Sequence, residues 1–425
     1  MMVGMAGDMA AQVDSTRQTP IQKAISRLSI GGYGEAVMSR NFYSDHFNRY
    51  KFPEQYKDDD SHGRFDLPHV VLNLGYDFGR GWKTGMEIEF EHGGTESAVE
   101  VDADESGEYE AETEKGGEVA LEQFWIEKTF CKEIVLRAGE IVVPVGATNA
   151  HHMPTEFFTV YRPEGEMTLF PCTWHQVGVS LYGRVGKWKY EVQFLPGLDS
   201  ERFGADCFVH YGATSAYEFK IGNKYAAAVR VDNNSIPGLT LSVSGYAGRT
   251  FRNTLRKIGT NYDGVEGALK IGTVDFRLKK GGVIARGNFD WAHLSDASEI
   301  SKFNNSFPKH TGQDGSPSKH QPVGSDAMTA GGEIGYNVLS GSERMRANNQ
   351  SLVVFGRYKY YNGMRKGNTK STYAWCEKRV MAFGVNYQPM KEIVVKCEWS
   401  KRMFESPYND EPSLSMGIAY SGWFK

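Results

Sequence analysis

The chain has 425 residues and a formal net charge of −4, with 48 Lys and Arg against 52 Asp and Glu, a balance that gives no reason for nucleic-acid binding. Mean hydropathy is −0.47, and no continuous apolar run is long enough for a transmembrane helix. A membrane β-barrel is not excluded, because its strands alternate apolar and polar residues and average out as soluble. The five cysteines, Cys131, Cys172, Cys207, Cys376 and Cys397, include no CxxC pair and cannot all pair within one chain, so they read as isolated thiols.

The opening MMVGMAGDMAAQ lacks a basic region and a full apolar core, but its Ala10-Ala11-Gln12 end resembles the tail of a secretory signal. Residues 1–27 therefore read as a signal remnant and lead-in, with a mature chain from near Gln12. Leu28 to Ser39 is the first expected strand. Val70, Leu72, Leu74, Tyr76 and Phe78 are then apolar at every second position, and Gly79-Arg80-Gly81 makes a tight turn. After it Trp82, Thr84, Met86, Ile88 and Phe90 line one face, and Lys83, Gly85, Glu87, Glu89 and Glu91 the other. A period of two marks a strand with one dry and one wet face. Trp82 and Phe90 sit at the two ends of the apolar row, where membrane interfaces favour aromatic rings. Thr95 to Glu118 is strongly acidic. Solvated repulsion that keeps a loop open is the plain reading; a calcium site is the alternative, although the spacing fits no EF-hand.

Ala120 to Phe130 and Ile134 to Glu140 flank a short turn. Beyond the next loop, Val177, Val179 and Leu181 pair by pattern with Trp188, Tyr190, Val192 and Phe194. The same pattern predicts strands over Tyr225–Asp232, Leu239–Gly248, Tyr262–Leu278, Val283–Leu294, Met328–Val338, Leu352–Tyr361, Arg379–Tyr387, Ile393–Arg402 and Leu414–Phe424, with a bulge at Gly272-Thr273. Short and long connections alternate throughout. This predicts an all-β fold: one transmembrane antiparallel barrel over 28–425, of about sixteen strands, with long external loops. The final SMGIAYSGWFK, with Trp423 and Phe424 near its end, resembles an outer-membrane assembly signal.

One loop differs from the rest. Val142 to Cys172 carries Val142, Val143, Val145, Phe157, Phe158, Val160, Tyr161 and Phe170. Exposed apolar area is unfavourable, so such a loop must be covered. Folding into the lumen as a constriction covers it; packing on another subunit or across a soluble core is the alternative.

The stretch Arg137 to Gly183, with RAGEIVVPVGATN, HHMP, the Tyr161-Arg162-Pro163 step and WHQVGVSLYG, resembles the phosphate-selective porin O and P family in its broad sense. NNSIPGLTLSVSGYAG, from Asn233 to Gly248, is similar to that family's Pro-Gly-Leu turn and following strand. The resemblance implies a sixteen-stranded outer-membrane barrel, expected to be trimeric, that passes small hydrophilic solutes past a constriction loop. Its surroundings would be outer-membrane lipid and lipopolysaccharide.

Taking the apolar parity as lipid-facing puts Lys83, Arg137, Lys187, Lys189, Arg230, Lys270, Arg286, Arg357, Lys359 and Lys396 in the lumen. The same rule adds Glu35, Glu87, Glu89, Glu91, Glu191, Asp232, Glu266, Asp290, Glu333 and Glu398. Neither sign dominates, whereas a phosphate path needs a continuous basic track. Constriction candidates are Arg162, His151, His152 and Glu164. Arg162 either places a positive charge at the narrowing or makes a structural salt bridge to Glu164 or Glu166. His151 and His152 beside Glu156 invite a metal reading, but adjacent side chains on an extended segment point apart, and polar contacts within the loop fit better. No metal site, cofactor motif or GxSxG, P-loop or HExxH signature is read, and no enzyme activity is expected. Three functions compete: a diffusion channel, a plugged scaffold barrel of an outer-membrane complex, and a soluble multi-domain β protein binding glycan.

Overall fold

A computed structural model of the chain describes residues 24–59, 61–93, 97–103, 109–115, 118–215, 219–305, 322–366 and 373–424. The expected leader, residues 1–12, lies outside them. The strands are β1 (Leu28–Asn41), β2 (His62–Asp66), β3 (His69–Gly79), β4 (Trp82–Glu91), β5 (Ser97–Ala103), β6 (Tyr109–Lys115), β7 (Glu118–Thr129), β8 (Val135–Val142), β9 (His175–Val185) and β10 (Trp188–Pro196). They continue as β11 (Tyr225–Asn233), β12 (Leu239–Arg249), β13 (Ala268–Lys280), β14 (Val283–Leu294), β15 (Asp326–Asn337), β16 (Ser351–Lys366), β17 (Glu377–Met390), β18 (Ile393–Met403) and β19 (Glu411–Trp423).

Seventeen strands form one antiparallel sheet, in which β2 continues β3 beyond Leu67 and Pro68, so sixteen strands span. Pro68 has no N–H to give the ladder, which is why the strand is interrupted there. The sheet closes where β1 meets β19, from Gly31↔Trp423 to Asn41↔Ser413. Closure leaves no strand edge, so every span pairs its backbone without water. The acidic segment expected as an open loop forms a separate hairpin, β5 with β6.

The outer face carries a belt of exposed apolar side chains, among them Val70, Ile126, Val179, Val229, Val243, Val274, Ile334, Val385 and Ile418. Trp82, Trp188 and Tyr336 stand toward the end with short turns, and Phe90, Phe194, Trp291 and Trp399 toward the end with long loops. A belt with aromatic girdles matches a hydrocarbon slab between two interfaces, and the chain is built as a multi-pass outer-membrane barrel. A soluble sandwich would have buried these rows.

Inside, polar residues mostly alternate in register with the belt, and where they do not, apolar wall residues meet the loops, as Val353 and Phe355 of β16 meet Phe158. In the long-loop half, wall residues Leu195, Ala228, Leu269, Ile271, Ala292 and Leu294 form an apolar core. They pack against Val143, Val145, Leu169, Phe170 and Trp174 of the inserted loop, and against Phe203, Phe208, Phe251 and Phe303 from the long external loops. This core reverses the expected parity of β13. Leu269, Ile271, Thr273, Asp275 and Arg277 face inward, and Lys270 faces outward. No bulge occurs at Gly272-Thr273, where β13 stays in register with both neighbours. The strand begins at Ala268 rather than Tyr262, because 260–262 makes a turn of 3-10 helix.

Candidate functional site

The connection between β8 and β9 enters the lumen and is fastened at its root, along its body and at its tip. At the root, Asn149 donates through Nδ2 to the Val143 carbonyl at 2.6 Å and accepts through Oδ1 from the Trp174 amide at 2.7 Å. One side chain thus bridges the entering and leaving chain. Glu166 accepts from the Ala147 and Thr148 amides at 2.7 and 2.5 Å, which clasps the two limbs of the loop. The approach requires Gly146: its φ is 85°, and a Cβ there would lie 2.7 Å from Oε1 of Glu166.

The body of the loop is held by the wall. Lys396 donates to the carbonyls of Phe157 and Thr159 at 3.2 and 2.8 Å and sits over the Phe157 ring. Asn386 donates to the Phe158 carbonyl at 3.0 Å, and Arg230 to that of Gly146 at 3.0 Å. At the tip, Arg357 donates to the Glu164 carbonyl at 3.0 Å, while Arg402 and Tyr361 bind the Glu164 carboxylate. A loop away from water needs partners for its carbonyls, and basic side chains of the wall supply them. Several charges that sequence parity places in the lumen are therefore fasteners, not free elements of a track.

Arg162 reaches the opposite wall. It donates to Tyr33 Oη at 3.0 Å, Glu89 at 3.4 Å and Thr173 at 3.1 Å. The expected bridge to Glu164 or Glu166 does not form, because Glu164 turns to β18 and Glu166 is engaged by the loop amides. His151 pairs with Glu156 at 2.9 Å, and His152 bonds the Asn149 carbonyl at 3.0 Å and meets Tyr33 edge-on.

Glu87, Glu89 and Glu91 share the inner face of β4, with His69 of β3 against them. Arg230 is inward and paired with Asp232 and Asp275. Arg286 is inward, paired with Glu333 and stacked over Phe158. Lys187 lies in a short turn and Lys189 at the adjoining end of β10, both exposed. Lys270 is not a lumen residue, for the parity reason given above. Glu266 lies outside the strands, in the external connection before β13, and pairs with Arg249. Sequence reading missed Arg277 and Arg402. The apolar row Val274, Phe276 and Leu278 would have signalled Arg277 on the opposite face, and the parity of Lys396 and Glu398, carried on by two and four residues, would have signalled Arg402.

On the short-turn side of the loop lies a cavity of about 450 Å³ lined by Arg277, Lys279, Arg286, Glu156, Thr240, Asn386 and Gln388, among others. Arg277 and Arg286 are direct register partners, so two guanidiniums face this space together. On the long-loop side, Lys378 sits among Tyr50, Tyr361, Trp375 and Phe404 at 5.6–5.9 Å and pairs with Asp206 at 2.6 Å. All five cysteines are free.

No protein-family model matches the chain. An uncharacterised protein of Aquifex aeolicus (strain VF5) is 24% identical over 389 residues, covering 90% of this chain and 78% of that protein. Among solved structures, OmpF of Salmonella typhi in complex with daunomycin superposes with a TM-score of 0.55 at 8% identity, over 93% of this chain and 97% of that one. The anion-selective porin from Comamonas acidovorans gives 0.53 at 10% identity, over 93% and 99%. A loop L8 deletion mutant of the Vibrio cholerae outer-membrane protein OmpT gives 0.51 at 11% identity, over 93% and 99%. These are likenesses of fold: the neighbours are bacterial outer-membrane porins, and the chain shares their closed antiparallel barrel.

Proposed function

We propose that this protein is an outer-membrane channel for passive diffusion of small hydrophilic solutes and ions, narrow in bore and weakly selective, and that it belongs with the porin O and P proteins in the broad sense. One observation carries the reading: a closed barrel with an apolar exterior threads its own loop into a charged interior and fastens it there with side chains from several strands. A barrel wall alone leaves a wide bore; an inserted loop makes it a sieve.

Permeation here is governed by charge and size, with no chemical step. Acidic groups gather on β1, β4 and β7, and basic groups on β13, β14 and β16 to β18, across the loop from them. Such a transverse field orients dipolar solutes and admits ions of both signs. The basic groups are interrupted by Asp232, Asp275, Asp290 and Glu333, which argues against a phosphate-only path. We take 28–425 as one barrel domain, assembled as a homotrimer, with its long loops toward lipopolysaccharide and its short turns toward the periplasm.

Single-channel recording in a planar bilayer, with the reversal potential taken across a salt gradient, tests this. Small stepwise conductance with weak selectivity is expected. Silence from folded, detergent-stable protein would overturn the channel reading in favour of a plugged scaffold barrel. Strong anion selectivity would overturn the mixed-charge lumen.

A further inference from the structure

His69 on β3 and Glu91 on β4 are register partners, and Glu89 stands two residues along on the same inner face. Their candidate ligand atoms, one from each side chain, all lie within 4.8 Å of one another. Nδ1 of His69 is 2.7 Å from Oε1 of Glu89 and 3.8 Å from Oε1 of Glu91, and its Nε2 is 3.9 Å from Oε1 of Glu35. Ligand atoms about a small divalent ion, each bonded at about 2.0–2.2 Å, stand roughly 3–3.6 Å apart, so small side-chain rotations suffice to close the shell.

A second observation comes from β7. Its register against β4 slips between Glu87↔Gln123 and Ile88↔Leu121, which makes Glu122 a bulge residue. The bulge turns an extra carboxylate into a wall that already carries three. Glu122 is 3% exposed, its carboxyl lies beside that of Glu89, and its Oε2 has no hydrogen-bond partner among the described residues. Bulges recur where a strand re-aims one side chain at a site. A buried carboxylate oxygen that faces other carboxylates with no donor is unfavourable unless a proton or a cation is shared among them. Arg162 reaches Glu89 and Lys396 faces Glu35, yet Glu35, Glu87, Glu89, Glu91 and Glu122 all crowd this wall.

We propose that this cluster binds one divalent first-row transition-metal cation, with His69, Glu89 and Glu91 as ligands and the Glu122 carboxyl beside Glu89 adding negative charge to the site. One imidazole among carboxylates favours an ion of the Zn²⁺ or Mn²⁺ kind over Ca²⁺ or Mg²⁺. Arg162 keeps its bonds to Tyr33 and Thr173 when Glu89 turns to the ion. Bound there, the ion would neutralise part of the acidic wall beside the constriction.

The test is equilibrium dialysis of metal-stripped, folded protein in detergent against Zn²⁺, with bound metal counted by mass spectrometry. About one Zn²⁺ per chain is expected, with affinity at least about tenfold weaker in His69→Ala and in Glu91→Gln. His293→Ala, which removes an imidazole on the outer face of β14, is expected to bind as the parent does. Heat-modifiable migration on a gel first establishes that each variant is folded, and two ligand variants keep the test alive if one fails. Substoichiometric binding by the parent, or unchanged binding by a folded ligand variant, overturns the proposal. Dialysis reads occupancy and not current, so the result stands whether or not the barrel conducts.

Discussion

Glu164, at the tip of the lumen loop, and Arg402, on the inner face of β18, form a two-pronged ion pair: Nε to Oε2 at 2.9 Å and Nη2 to Oε1 at 2.8 Å. The planar guanidinium matches the carboxylate edge, so the pair fixes direction as well as distance. Arg402 also binds Glu411 of β19, and Glu411 binds Arg49 of the first external connection at 2.8 Å. The loop tip is thereby tied to two strands and to the long-loop mouth.

Arg402→Ala is expected to release that tip. The half-buried Glu164 would lose charge-assisted bonds worth about 1.5–3 kcal/mol. Single-channel conductance should rise and become noisier, and the melting temperature in detergent should fall. Unchanged conductance would show that the tip does not border the path.

The same pair sets an acid limit. Burial alone pushes the Glu164 carboxyl up, but the Arg402 charge and hydrogen bonds, with that of Tyr361, outweigh it and hold the carboxyl at about 2. A carboxylate with a depressed folded value adds stability that is fully present above its unfolded value near 4.5 and is lost as pH falls toward 2. The stability this pair adds, read as the difference in melting temperature between the parent and Arg402→Ala, is therefore expected to stay constant from pH 7 to about 4.5 and to shrink only at lower pH. A loss of that difference centred above pH 5 would contradict the assignment.

The side-chain parity of β13 gives a selectivity contrast. Arg277 lines the cavity beneath the loop, whereas Lys270 faces outward. Arg277→Glu should raise the cation-to-anion permeability ratio roughly twofold or more, and Lys270→Glu should leave it unchanged. Reversal potentials across a salt gradient read both. The opposite ranking would restore the parity that sequence alone suggests.

Gly146 supplies a backbone test. Its φ of 85° and the 2.7 Å approach to Glu166 leave no room for a side chain. Gly146→Ala should cost about 1–3 kcal/mol and loosen the clasp. Gly186→Ala, in an open short turn with φ 60° and nothing within 4 Å of the added carbon, should cost about 1–2 kcal/mol, from the backbone alone, and leave conductance as it was. Thermal melts and single-channel traces separate the two.

Much of the barrel is legible in the chain. The period of two in Trp82 to Glu91, the Gly79-Arg80-Gly81 turn and the alternation of short and long connections determine the sixteen spanning strands and, outside β13, most of their wet and dry faces. They do so because each strand meets lipid on one side and the interior on the other. The apolar content of 142–172 likewise determines that this loop is covered. Tertiary structure alone decided what the interior holds. Leu269 and Ile271 turn inward because external loops and the inserted loop build an apolar core there, which a local pattern reads as lipid. Arg402 finds Glu164, and His69 finds Glu89 and Glu91, through barrel closure, loop insertion and strand register. The bulge that adds Glu122 is one extra residue against β4, invisible until two strands are aligned. Local periodicity reports the medium on each side of a strand; partners distant in sequence are set only when the sheet closes and the loop is fastened within it.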